Sequence, residues 1–362
     1  VEQLNKTALK AHGLDKSGHL YKVNSFDFHR YENTIKLADD PDYNQASFEG
    51  MLEIKGDSDH TKLIEMLNAL NDESQKIDDV LDTYFDTENL VYWLAFQILT
   101  GNCDTQNRNC YLYSPLNSNT WYFLDWDNDG MLRKLELSLK GFSDYASWER
   151  GVSNYWGNVL FNRALRSKAF RSELDRAVKD LRSYLTEARL TEMIKHYREV
   201  TESLVFAAPD NDNLPVTKGQ YEQIAAAIPS EIEENYKSFR ESYKKPMPFY
   251  IGVPQIDNGK LRINWDASYD FKARDIRYTV ELARDYAISD VLFKAEDVLL
   301  PEVTCDAPDA GQYFARVRAT NSDGYTQDAF DYYVTDDGKH YGMKCFYVQD
   351  GGKVVEDTYE EG

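Results

Sequence analysis

Three aspartates at alternate positions, Asp125, Asp127 and Asp129, stand in the run Leu124-Asp125-Trp126-Asp127-Asn128-Asp129-Gly130, just after the strand-like Trp121-Tyr122-Phe123. Asp104 and Asn109 lie at the other end of the same segment. All five side chains offer hard oxygen donors, the type preferred by Mg²⁺ and Ca²⁺. Like charges crowded beside aromatic rings repel, and a bound cation is the usual remedy. Phosphoryl transfer suits such a set because it needs positioning and charge neutralisation rather than a covalent nucleophile. No Ser-His-Asp arrangement or nucleophile elbow competes with it. The bland alternative is a solvated acidic turn.

A calcium reading must be weighed against magnesium. Asp125-x-Asp127-x-Asp129-Gly130-x5-Glu136 satisfies the EF-hand loop pattern, with Leu132 at the eighth position and a bidentate-capable Glu136 at the twelfth. An EF-hand requires an entering helix, whereas Asn119-Thr120-Trp121-Tyr122-Phe123-Leu124 is β-type, and the pattern occurs once. A calcium-stabilised structural loop stays as an alternative that predicts stabilisation by Ca²⁺ and indifference to ATP.

The elements that must hold these residues are helical with one hairpin. Short β-type runs at Cys110 to Tyr113 and Trp121 to Leu124 are separated by Ser114-Pro115-Leu116-Asn117-Ser118-Asn119, so pairing brings Asn109 near the end of the second strand. Around it, helical periodicity predicts core-facing helices over 59–71 and 87–100, then 159–165, 171–184 and 187–205. The last carries Met193, Ile194, Tyr197, Val200 and Leu204 as one stripe, read as packing. After a polar loop at 208–219, one helix is expected from near Gln220 and another entered through Pro229.

Composition limits the partners. The chain has 362 residues, 62 acidic against 41 basic, for a formal charge of −21, and this field repels nucleic acid and anionic membranes. No apolar run approaches a membrane span. Cys103, Cys110, Cys305 and Cys345 form no CxxC pair, and the six histidines are scattered, which argues against zinc; the four thiols are expected outside disulfides. The chain opens at Val1-Glu2-Gln3 without Met or signal peptide, so its start is expected not to be the natural one.

At Lys244-Lys245-Pro246-Met247-Pro248 the pattern shifts, and period-two strands follow: Leu261, Ile263, Trp265; Ile276, Tyr278, Val280, Leu282; Tyr313, Ala315, Val317, Ala319. The run from Tyr313 to Asn321, ending at Asp323-Gly324, with Trp265 on an early strand, resembles the fibronectin type III pattern. The expected fold is therefore α+β, with a mainly helical domain at 1–245 carrying a β-hairpin site, an all-β fibronectin type III-like sandwich at 246–335, and a hairpin with an acidic tail at 336–362.

The order of features in the first domain also resembles a family. The helix Tyr92-Trp93-Leu94-Ala95 leads into Gly101-Asn102-Cys103-Asp104; Asn109-x-Tyr111-Leu112-Tyr113 follows, and the hairpin ends in Trp126-Asp127-Asn128-Asp129. With Val1-Glu2 and Gly18-His19-Leu20-Tyr21-Lys22, this is similar to the CotH (spore coat protein H) family of atypical secretory kinases over roughly 1–242. The resemblance implies a protein-kinase-like C-lobe, with the N-lobe expected upstream of Val1. It implies Asp104 as the catalytic-loop aspartate, Asn109 and Asp127 as Mg²⁺ ligands with Asp129 as a weaker one, and ATP as phosphoryl donor to Ser or Thr hydroxyls of proteins on the cell or spore surface. Lys22 is a candidate for a phosphate contact, and Glu2 or Gln3 for the nucleotide. Asp125 replaces the apolar residue or proline expected there. A different class stays open: a non-catalytic surface protein contacting carbohydrate through some of its 26 tyrosines and six tryptophans.

Overall fold

The computed structural model describes residues 3–140, 146–336 and 338–357. The chain divides into two compact units, one of residues 1–143 with 150–239 and the other of 144–149 with 240–362.

Among the described residues the first unit is built on ten α-helices and a four-stranded antiparallel sheet. In chain order these are α1 (Lys6–Ala11), β1 (His19–Val23), α2 (Gln45–Met51), β2 (Leu52–Ile54), α3 (Thr61–Asn71), α4 (Ile77–Tyr84), α5 (Thr87–Thr100), β3 (Cys110–Ser114), β4 (Tyr122–Asp125), α6 (Lys134–Leu139), α7 (Val159–Arg166), α8 (Lys168–Tyr184), α9 (Glu187–Val205) and α10 (Lys218–Ser242). The sheet runs β2-β1-β3-β4. Its register sets Lys22 opposite Tyr111 and Cys110 opposite Asp125. The hairpin read between Asn109 and Leu124 is thus the inner and edge strand of a larger sheet.

Local chemistry explains where the helices begin. α5 starts at Asp86, whose side chain accepts from the Asn89 N–H, and ends at Gly101 with φ 63°, a left-handed C-cap that suits glycine. Nine of its fourteen residues are buried, so it is a central helix rather than a one-sided one. α3 begins two residues later than expected because Asp59 turns back on itself, accepting from the Thr61 N–H at 2.9 Å and the Thr61 hydroxyl at 2.6 Å. α8 begins earlier than expected, at Lys168, because Ser167 Oγ caps the Phe170 N–H.

Two expectations are corrected. Most of the α9 stripe does not pack: Tyr197, Val200 and Leu204 are 60%, 59% and 65% exposed, Met193 and Ile194 are only partly buried, and of this helix Leu190 alone among the described residues is buried. Its partly buried side mixes Met193 and Ile194 with charged groups: Arg198 pairs with Glu202 at 3.2 Å and stands over the Tyr221 ring, while Lys218 reaches Glu202. Helical period reveals an apolar stripe but not its partner. Pro229 does not open a new helix; it lies inside α10. Ser230 Oγ donates to the Ala227 carbonyl in that turn, and buried Ile232, Asn235 and Phe239 anchor the following half.

Among the described residues the second unit holds two larger antiparallel sheets and a two-stranded one. β5 (Gln255–Asp257), β6 (Lys260–Asn264) and β9 (Glu302–Asp306) form one; β7 (Ile276–Ala283), β8 (Val291–Val298), β10 (Gly311–Asn321), β11 (Thr326–Asp328), β14 (Met343–Val348) and β15 (Val354–Glu356) form the other. The remaining strands, β12 (Tyr332–Thr335) and β13 (Gly338–Tyr341), pair with each other. Leu261, Ile263 and Trp265 meet Tyr278, Val280, Leu282, Tyr313, Ala315, Val317, Ala319 and Phe346 in a shared core, the inward set that period-two alternation requires. The hairpin expected around Gly351-Gly352 is β14 with β15, and β14 pairs along β10, so it extends the larger sheet.

Candidate functional site

The Asp104 loop follows α5 directly and is pinned along its length. Asn158 Nδ2 donates to the Gln106 carbonyl at 2.8 Å, Gln106 Nε2 donates to Asn154 Oδ1 at 2.7 Å, and the Thr105 and Tyr155 hydroxyls meet at 2.9 Å. The Phe26 N–H donates to the Asn107 carbonyl at 2.7 Å. The loop ends at Asn109, held at φ 57°, whose Nδ2 donates to Asp104 Oδ2 at 2.8 Å and to the Asp104 carbonyl at 3.1 Å. That orientation leaves the Asn109 amide oxygen for a cation or a donor. Arg108 Nε stands 3.8 Å from Asp104 Oδ1, and both side chains are about half exposed.

The second half of the site is the turn after β4. Asp127 takes the left-handed conformation, φ 54° and ψ 55°, and leads into a short 3₁₀ turn over Asn128–Gly130. Left-handed backbone at a non-glycine residue is tolerated best by Asp and Asn, and it costs free energy unless the surroundings impose it. The turn is laid against the Asp104 loop at Gly130: a Cβ there would sit 2.7 Å from Asn102 Oδ1 and 3.2 Å from Asp104 Cβ. The Leu132 N–H then donates to the Thr100 carbonyl at 2.8 Å.

The electrostatics agree with this proximity. Burial pushes the Asp104 carboxyl above its ordinary range against the pull of Arg108 and Asn109, and Asp129 and Asp127 raise it further. Burial also raises Asp125, against a hydrogen bond from Gln97. Asp104, Asn109, Asp127 and Asp129 therefore share one neighbourhood.

The four carboxylates of the calcium alternative are not gathered. Asp125 Oδ1 accepts from Gln97 Nε2 at 2.8 Å, while Glu136 pairs with Arg133 at 2.9 Å and Lys140 at 2.6 Å, which holds its carboxyl below the usual range. Among the described residues no group of three or more His, Cys, Asp and Glu side chains is placed to hold a metal ion. By donor chemistry alone, Asn109, Asp127 and Asp129 offer the hard oxygens that Mg²⁺ or Ca²⁺ takes; Mg²⁺ typically uses one or two carboxylates and fills its octahedron with water and phosphate oxygens. Of the nucleotide candidates, Lys22 Nζ lies 5.7 Å from the centre of the Trp126 ring, beside Tyr111. Gln3 is exposed ahead of α1, and Glu2 lies outside the described residues.

What sequence reasoning missed is a buried amide cluster. Gln97 is 0% exposed and Asn102 2%. Asn102 Nδ2 donates to Gln97 Oε1 at 2.9 Å and approaches Asn128 Oδ1 at 3.3 Å, and the Asp104 N–H points at Asn102 Oδ1 at 3.3 Å. The available signal was a glutamine amid the apolar run of α5.

Among the described residues no helix is long and apolar enough to cross a membrane, and none of the four cysteines is in a disulfide. No curated protein matches the chain. Among solved structures, the twitchin kinase region from C. elegans is similar at 19% identity over 26% of this chain and 20% of that one, with a TM-score of 0.20. The chain thus spans about a fifth of that structure. The family model described as CotH kinase protein matches residues 1–239. Extending over most of the sequence, that match places the chain in the CotH kinase family, as a kinase-like protein of mixed helix and sheet.

Proposed function

We propose that this protein is a kinase that transfers the γ-phosphoryl group of ATP to Ser or Thr hydroxyls of proteins outside the cytoplasm or at a cell or spore surface. The observation that carries the reading is the seating of Gly130 against Asn102 and Asp104, which lays the Asp127–Asp129 turn beside Asp104 and its partner Asn109. Asp104 is half exposed and oriented by the Asn109 amide, as a residue that accepts or aligns a substrate hydroxyl must be. Asn109 and Asp127, with Asp129, would hold Mg²⁺. When bound, that ion would neutralise charge on the nucleotide phosphates. Lys22 is a further candidate contact to phosphate, and Glu2 or Gln3 to the nucleotide.

The domain boundaries near 245 and 335 belong to the same proposal. The order β5-β6-β9 facing β14-β10-β7-β8 supports a fibronectin type III-like module acting as spacer or docking surface. The function is tested by Asp127→Ala and Asp104→Asn in the full natural chain. Asp127→Ala should lose ATP-linked Mg²⁺ binding. Asp104→Asn should keep it and lose roughly 10²–10⁴-fold in phosphotransfer. Retention of both binding and transfer by Asp127→Ala would falsify the assignment, and glycan binding with no nucleotide-dependent thermal shift would favour a non-catalytic surface protein.

A further inference from the structure

Gln97 and Asn102 occupy the space between the two halves of the candidate site, and both are almost fully buried. Gln97 Nε2 has two oxygen acceptors, Asp125 Oδ1 at 2.8 Å and Asn128 Oδ1 at 3.4 Å, while its Oε1 receives Asn102 Nδ2 at 2.9 Å. These contacts flank Asp127 on both sides in the chain, at positions 125 and 128. Asn102 faces the other loop: its Oδ1 takes the Asp104 N–H, its carbonyl accepts from the Tyr155 hydroxyl at 3.2 Å, and its own N–H donates to the Gln97 carbonyl at 3.0 Å. It also forms the wall against which Gly130 sits.

A neutral amide suits position 97. A carboxylate would lose both donors and stand against Asp125, and an apolar side chain would remove the Gln97 hydrogen bonds to Asp125 and to buried Asn102. Asp127, in its left-handed conformation, lies between the two residues that Gln97 contacts.

We propose that Gln97 and Asn102 are a positioning pair that fixes the separation of Asp104 from the Asp127–Asp129 turn, and thereby the geometry of the metal-binding groups. This rests on the function proposed above. Neither residue would touch substrate or ion; each acts through the loops it grips.

The test uses the full natural chain and three variants, Gln97→Met, Asn128→Ala and Asp127→Ala. Mn²⁺ affinity is read by electron paramagnetic resonance, and local order by hydrogen exchange. For Gln97→Met we expect Mn²⁺ affinity to fall about 10–100-fold, as for lost outer-shell partners of a metal site. Exchange should rise at the Asp104 and Leu132 amides while α3 and α8 keep wild-type protection, a local signature that general destabilisation would not produce. Asn128→Ala, at the edge of the cluster, should act in the same direction and carries the test if Gln97→Met does not fold. If Asp127→Ala binds Mn²⁺ like wild type, the site reading fails and this inference with it. If Asp127→Ala loses Mn²⁺ while both amide-cluster variants keep wild-type affinity and exchange, the positioning role alone is overturned.

Discussion

Lowering the pH from 7 to 5 should weaken the first unit through one imidazole, His60. This residue immediately precedes α3 and is 0% exposed. Its Nδ1 meets the Tyr21 hydroxyl at 2.8 Å, its Nε2 meets the Tyr43 hydroxyl at 3.3 Å, and its ring stacks on Phe48 with centroids 4.1 Å apart. Burial lowers its pKa from the ordinary 6.5 to about 4, with Asp59 opposing and His19 adding to the fall. In the unfolded chain the same imidazole takes up a proton near pH 6.5, so the unfolded state binds more protons in the window between the two values, and stability falls as pH drops through it. For a shift from 6.5 to about 4, linkage gives a loss of roughly 2 kcal/mol between pH 7 and 5 and about 3 kcal/mol in all.

Two measurements check this. The His60 ring resonance should not titrate between pH 7 and 5. Urea titrations followed by hydrogen exchange in β1 and α3 should show a pH slope that is shallower in His60→Gln by about that amount. A His60 resonance with a midpoint near 6.5, or parallel pH profiles for wild type and His60→Gln, would refute the desolvation argument.

Other perturbations reach the remaining parts of the molecule. Gly130→Ala must open about half an ångström between the turn and the Asp104 loop, since Asn102 is locked by Gln97; phosphotransfer should drop about 10–100-fold with little change in melting temperature. In the second unit, Asp270 is buried against Arg274, with contacts of 2.8–3.0 Å, and accepts from Asn321 at 2.9 Å. Burial raises its carboxyl, but the hydrogen bonds from Arg274 and Asn321 outweigh it and hold the pKa below the ordinary range. This stability is present above the usual carboxylate range and lost as pH falls through the folded value. Asp270→Asn should cost about 2 kcal/mol by denaturant titration of that unit, because it removes one of the two carboxylates on the buried Arg274 guanidinium and leaves Asp323 and the Lys244 carbonyl. Arg163 gathers the carbonyls of Leu70, Asp72 and Gln75 at and beyond the end of α3; Arg163→Met should destabilise the first unit by roughly 2 kcal/mol, read from the urea midpoint.

Local chemistry was legible wherever a residue pattern carries its own geometry. α5 and α9 have the spans their periodicity predicts, the hairpin forms between the polar ends of two apolar runs, and Leu261, Ile263, Tyr313, Ala315, Val317 and Ala319 turn inward as alternation demands. The order Gly101-Asn102-Cys103-Asp104, Asn109, Asp127 was enough to point to the family that the match over 1–239 supports.

Partners were not legible. The α9 stripe is as periodic as a core helix, yet Tyr197, Val200 and Leu204 face solvent, because amphipathicity specifies a face and not what covers it. Pro229 reads as a helix start, but its own turn and the buried residues after it keep α10 whole. In the acidic run, types and spacing determined which residues can bind a hard cation, since donor chemistry belongs to the side chain. Only the tertiary structure decided how they divide: Gln97 donates to Asp125, Arg133 and Lys140 hold Glu136, and Gly130 leaves room for the Asp127–Asp129 turn beside Asp104. Those contacts join residues as far apart as positions 97 and 125, and a sequence carries no local signal for distances that arise only when separate elements pack.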